Sequence, residues 1–266
     1  MTLRIGWFST GRGQDAINLL AGIHDAIRGR ALDASIEYVF CNRERGEHEV
    51  TDRFLDFTVA RGLRVVCKSS ARFEPELRRS DREAWRPLYD SEVLSLLTPF
   101  EVDVSALAGY MLITSPLLHE RFLMLNLHPA KPDGPTGRWE DVMWQIIADR
   151  EKEAGAMINI VMAELDRGPT VAYCTFPTVG GAFDALWRQM DAKLATASLA
   201  EIRAREGYGE PLFAAIRAAE FAREIPLLLG TLTMIADGRI RFEGRQVFVD
   251  GRPSREGLCL NAWLEE

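Results

Sequence analysis

An apolar run that ends in two polar residues constrains this chain more than any other stretch. It reads Leu123-Met124-Leu125-Asn126-Leu127-His128-Pro129. An unbroken run of this kind predicts a strand buried in a parallel sheet. Side chains alternate along a strand, so Asn126 and His128 share one face. Pro129 has no N–H to donate and ends the ladder. An amide and an imidazole therefore stand side by side at the carboxyl end of a strand, the edge at which open α/β sheets bind ligands. Taken alone, the pair also fits a purely structural hydrogen bond.

A second stretch favours chemistry. Ala163-Glu164-Leu165-Asp166-Arg167-Gly168-Pro169 places a carboxylate in a Gly-Pro turn between two strand-like runs, where a side chain can be aimed at a cleft. Asn126, His128 and Asp166 together suit acyl transfer. The amide holds a developing oxyanion, the imidazole relays protons, and the carboxylate orients the imidazole.

The remaining pattern is α/β. Strand-like runs at 3–8, 36–41, 64–67, 102–107, 155–161 and 170–176 alternate with helical ones at 15–27, 50–60, 89–97 and 140–150, which predicts a doubly wound, mostly parallel sheet. The reading is one domain over 1–266. Residues 1–177 form the α/β core, and 178–266 form a helical extension with a hairpin tail. Within the extension, two helices flank the break at 207–211 and another begins at Pro226; within the core, 68–86 is an irregular charged insertion, read as a solvated surface excursion or, alternatively, as a substrate-selecting lid. Its Arg72, Arg78, Arg79 and Arg82 are then available to an anion.

After the first strand, Gly11-Arg12-Gly13-Gln14 opens a helix. Backbone N–H groups and the helix N-terminus make such a turn a phosphate cradle. The segment also fits G-x-G-x-x-A through Gly11, Gly13 and Ala16, with Asp33 available to a ribose, so a dinucleotide site competes. The net charge of −7 argues against nucleic acid as the main partner. No run is long and apolar enough for a membrane span. Cys41, Cys67, Cys174 and Cys259 show no paired spacing, so no metal site is expected and reduced thiols in a cytoplasmic protein are.

Several of these motifs coincide with one family. Ala108-Gly109-Tyr110-Met111, Ser115-Pro116, Leu125-Asn126-Leu127-His128-Pro129 and Glu164-Leu165-Asp166-Arg167-Gly168-Pro169 resemble, in order and separation, the core motifs of the folate-dependent formyltransferases. The resemblance runs from residue 1 to about 177 and resumes near Asp237-Gly238-Arg239. It implies a Rossmann-like fold and Asn126, His128 and Asp166 as catalytic residues. It also implies 10-formyltetrahydrofolate as the formyl donor, held by Tyr110, Met111, Leu112, Ile113, Thr114, Ser115, Glu164 and Leu165. The acceptor it implies is a small, phosphorylated amine in purine biosynthesis, by default glycinamide ribonucleotide, with its phosphate on Gly11, Arg12, Gly13 and Gln14. The protein would be a monomer or homodimer. Two departures stand out. The turn 130–139 is rebuilt, and Asn159 stands where many members carry His. Hydrolysis of the donor, sugar-nucleotide formylation and non-catalytic folate binding stay open.

Overall fold

The computed structural model describes residues 2–265. One eight-stranded sheet runs through the molecule in the order β11-β7-β6-β5-β4-β1-β2-β3. The first half winds outward through β1 (Leu3–Ser9), α1 (Gln14–Arg28), β2 (Ala34–Cys41), α2 (Glu49–Ala60) and β3 (Val65–Cys67). The chain then returns to the other side of β1 through α3 (Pro75–Ser80), α4 (Arg82–Leu97) and β4 (Val104–Leu107). After α5 (Pro116–His119) come β5 (Met124–His128), α6 (Trp139–Ala148), β6 (Glu153–Ile160) and β7 (Thr170–Pro177). β6 is antiparallel to both its neighbours, β5 and β7; the other pairs run parallel.

This winding has its reversal between β1 and β4. The loops after both strands emerge there, at the carboxyl edge, and a crevice opens between them. They are joined directly: Thr10 N–H donates to the Gly109 carbonyl at 3.0 Å, and Met111 N–H donates to Thr10 Oγ1 at 2.9 Å. Asp33 lies at the opposite edge. It precedes β2, whose first residue, Ala34, pairs with Leu3 at the start of β1. It therefore cannot meet a ribose held by the loop after β1, and the dinucleotide reading loses its acidic partner.

The rest of the chain packs on this frame as α7 (Ala182–Leu194), α8 (Leu199–Glu206), a short turn of 3₁₀-helix (Gly207–Gly209) and α9 (Pro211–Ala236). A small sheet of β8 (Ile240–Glu243), β9 (Gln246–Val249) and β10 (Arg252–Ser254) follows. β11 (Leu258–Cys259) then adds an eighth strand to the main sheet beside β7, and α10 (Asn261–Leu264) ends the described chain.

Two expectations need correction. Residues 68–86 are not irregular, because α3 and the first turn of α4 lie within them. Asp81 caps α4 by accepting from Ala84 N–H, and Trp85 and Tyr89 stack at 4.7 Å beneath Phe73. The arginines there are largely committed: Arg72 and Arg79 pair with Glu44 and Glu76, and Arg78 lies over the Trp85 ring. Second, no helix begins at Pro226. α9 runs straight through it, because Leu227, Leu228 and Leu232 are buried in the main core on its far side. That burial outweighs the lost N–H. The tail forms the expected hairpin, extended to three strands, and adds a further strand to the main sheet.

Candidate active site

Asn126 and His128 lie two residues apart at the end of β5, on one face as the alternation requires, and β6 runs antiparallel alongside. That register sets Asn159 directly opposite Asn126. Asp166 arrives from the β6–β7 connection. Its turn is tight enough that a Cβ on Gly168 would sit 1.8 Å from the Ile160 carbonyl oxygen, so only glycine fits. Asp166 itself has φ +55°, a left-handed conformation that a short polar side chain tolerates.

The three side chains meet. Asn126 Nδ2 donates to Asp166 Oδ1 at 3.0 Å and to Asn159 Oδ1 at 3.3 Å. His128 Nδ1 lies 3.6 Å from Asp166 Oδ2, an ion-pair separation rather than a hydrogen bond. His128 is 2% exposed. The rebuilt turn closes on this group from the other side. Gly137 N–H donates to Asp166 Oδ2 at 3.0 Å, and His128 Nε2 lies 2.8 Å from the Pro135 carbonyl oxygen.

These residues form the centre of a cavity of about 650 Å³, within the usual range for small-molecule sites. Tyr110, Met111, Leu112, Ile113, Thr114 and Leu165 line one side, a mostly apolar wall. Ser115 and Glu164 do not line it. Ser115 stands behind the wall, where its N–H donates to the buried Asp90 carboxylate at 2.5 Å. Burial pushes the Asp90 carboxyl up to about 6, because an ion in a dry site is disfavoured. Glu164 is exposed on the turn.

Arg12 and Gly13 line the other side, and α1 begins at the next residue. Gly11 is buried beneath them against the Phe54 ring, and Gln14 turns away to donate to Asn18. A second guanidinium, Arg43, stands near Arg12. Burial and then the Arg12 charge hold its pKa down, and it donates to Thr51 Oγ1, which in turn donates to the Gly11 carbonyl. It follows Asn42 at the carboxyl end of β2, the one sequence signal that points to it.

The far end of the cavity comes from segments that no motif marked. Trp139, Glu140, Tyr208, Arg217 and Glu224 line it. Arg217 lies 4.8 Å from the Trp139 ring centre and pairs with Glu224, at 2.6 Å, and with Glu220. Glu220 is fully buried, and its Oε1 has no partner. Burial first, and then the Glu224 charge, push its carboxyl up to about 8. Burial therefore favours the protonated form of this pair. Among the described residues, no three His, Cys, Asp or Glu side chains gather to hold a metal, and no helix is long and apolar enough to cross a membrane.

Known proteins resemble this chain in sequence and in fold. Residues 11–179 match the Formyl transferase family. Over 169 residues the chain is 31% identical to the phosphoribosylglycinamide formyltransferase of Escherichia coli K12, covering 61% of this chain and 69% of that one. The phosphoribosylglycinamide formyltransferase of Coxiella burnetii superposes with a TM-score of 0.68 at 18% identity, over 97% of this chain and 99% of that one. A formyltetrahydrofolate deformylase of Pseudomonas syringae superposes with a TM-score of 0.62 at 17% identity, over 94% of this chain and 66% of that one. The latter two likenesses carry the fold alone. The match over most of the core, together with the curated relative, makes this chain an enzyme of the formyl transferase family.

Proposed function

We propose that the protein moves the formyl group of 10-formyltetrahydrofolate onto the amine of a small phosphorylated acceptor, glycinamide ribonucleotide being the first to test. The observation that carries this reading is the meeting of Asn126, His128 and Asp166 between two chemically unlike walls of one cavity. The donor's flat ring lies along residues 110–113, against a wall without charge. The acceptor's phosphate lies at Arg12 and Gly13, where N–H groups at the start of α1 and a guanidinium favour an anion. That arrangement brings the acceptor's amine and the donor's formyl carbon together over β5.

In the reaction the amine attacks the formyl carbon, forming the new C–N bond, and the carbonyl oxygen becomes an oxyanion. Asn126 Nδ2 is the donor for it. Its 3.3 Å contact with Asn159 is the longer of its two bonds and is the one that yields. Collapse of the intermediate breaks the bond to N10. The amine must lose a proton and N10 must gain one, and the His128–Asp166 couple relays it. Losing an oxyanion donor of this kind typically costs about 10²–10³ in rate.

The test is turnover of 10-formyltetrahydrofolate with and without glycinamide ribonucleotide. The proposal expects a formylated acceptor. Free formate, at a rate the acceptor does not change, would replace it with hydrolysis. Absence of any turnover would remove both.

A further inference from the structure

The 130–139 turn touches two of the three central residues. Its backbone makes both contacts. The Pro135 carbonyl reaches His128 Nε2 at 2.8 Å, and Gly137 N–H reaches Asp166 Oδ2 at 3.0 Å. A carbonyl oxygen can only accept, so His128 Nε2 must carry the hydrogen. The other ring nitrogen, Nδ1, then faces the Asp166 carboxylate at 3.6 Å.

We propose that the 130–139 turn is a positioning element that fixes His128 as an Nε2–H donor, leaving Nδ1, beside Asp166, as the nitrogen that takes up and releases the proton in transfer. It is the logic of a catalytic base oriented by a third group, with a backbone carbonyl in place of the usual side chain. Asp166 is oriented by the same turn through its second oxygen. When Nδ1 takes a proton, the ring becomes a cation against a carboxylate already held by two N–H donors, Asn126 Nδ2 and Gly137 N. The proton that leaves the acceptor's nitrogen rests there until N10 takes it, so none is gained or lost overall.

The sequence of the turn fits this role. Gly137 has φ +104°, a backbone state that L side chains rarely adopt. Open space surrounds its Cβ position, so only backbone conformation demands glycine there. Gly134 is confined differently: a Cβ would come within 2.8 Å of the Lys131 carbonyl oxygen. Both glycines are thus needed to hold the Pro135 carbonyl and the Gly137 N–H in place. Gly134 does not line the cavity, so its replacement alters position only, whereas Gly137 lines it and its replacement also adds a methyl group there.

The test has two arms. The first is spectroscopic and independent of the formyl-transfer reading. The protein has four histidines, so a histidine-¹⁵N-labelled sample gives a simple spectrum, with His128 assigned by its loss in His128→Asn. The neutral ring should show a protonated Nε2 whose hydrogen exchanges slowly enough to be seen, and an unprotonated Nδ1. In Gly137→Ala that hydrogen should exchange too fast to observe. A neutral His128 in the Nδ1–H form, or no protected N–H in the wild type, overturns the proposal. The second arm rests on the proposed formyl transfer. Gly137→Ala and Gly134→Ala, both checked for a native melting transition, should lower kcat at least about 10-fold, part of the span of general acid–base assistance, with KM for donor and acceptor within about twofold. Unchanged kcat in a variant that has lost the protected N–H also overturns it. A wild type that turns over no formyl donor would sink the proposed reaction, while the spectrum would still decide the role of the turn.

Discussion

The two ends of the cavity are built on opposite principles. Apart from Leu165, the neutral wall is one continuous segment, 110–114, fixed at both ends by buried partners: Thr10 Oγ1 takes Met111 N–H, and Asp90 takes the N–H of the next residue, Ser115. The other end is assembled from four separate stretches, around Arg12, Trp139, Tyr208 and Arg217, and is charged and aromatic. A neutral wall held by backbone bonds presents shape and suits a flat ring. A charged end built from long side chains discriminates by electrostatics and can change its ligand by substitution without disturbing the sheet. The difference teaches where each kind of variation should be felt, and substitutions at the centre and at the two ends sharpen or break it.

The largest effect belongs to the centre, which both ends serve. We predict that Asp166→Asn, which keeps the shape but removes the charge facing His128 Nδ1, lowers kcat at least about 10²-fold with the melting temperature nearly unchanged. A steady-state assay on the folded variant decides it. Normal turnover would leave Asp166 a turn residue only.

The next effect tests the neutral wall. Asp90→Ala removes the acceptor for Ser115 N–H and should raise the donor's KM about 10-fold, the scale of a lost hydrogen bond to a charged group, with the acceptor's KM held. Asp90→Asn keeps an acceptor oxygen and should restore most of it. Equal losses in both KM values would show that the wall and the charged end are not separate.

The smallest effect tests the charged end through stability. Glu220 has a folded pKa raised to about 8, well above an unfolded carboxyl. Its contribution is therefore fully present below the unfolded value, near 4.3, and lost as pH rises through 8. Glu220→Gln mimics the protonated form. Thermal melts of the variant should decline less between pH 6 and 9 than those of the wild type. An equal decline in both would mean that Glu220 is not the group whose ionisation is resisted.

The same contrast explains what the sequence could reveal. Asn126 and His128 share a strand face by simple alternation, and Asp166 sits in a Gly-Pro turn, so all three are legible from local pattern. The 110–114 wall is legible as a continuous segment after a strand. Asn159 was visible only as a departure, because its place opposite Asn126 depends on antiparallel register with β5. Arg43, Trp139, Tyr208, Arg217 and Glu224 belong to no motif. Trp139, Tyr208, Arg217 and Glu224 meet through the tertiary packing of α9, a helix that local rules end at Pro226 and that burial of Leu227, Leu228 and Leu232 keeps whole. The 68–86 region misled for a related reason: its arginines look solvated in sequence, yet Phe73, Trp85 and Tyr89 build a satellite core there.

The central claim is that one cavity holds two unlike ligands on either side of His128. The most direct test titrates wild type and Arg12→Ala, by calorimetry, with a non-reactive folate analogue and with glycinamide ribonucleotide. A charge-assisted contact of this kind is worth about 1.5–3 kcal/mol, so the account predicts that the ribonucleotide weakens about 10-fold or more while the folate analogue binds as before. Equal weakening of both ligands, or folate binding with no response of the ribonucleotide to Arg12→Ala, would contradict it.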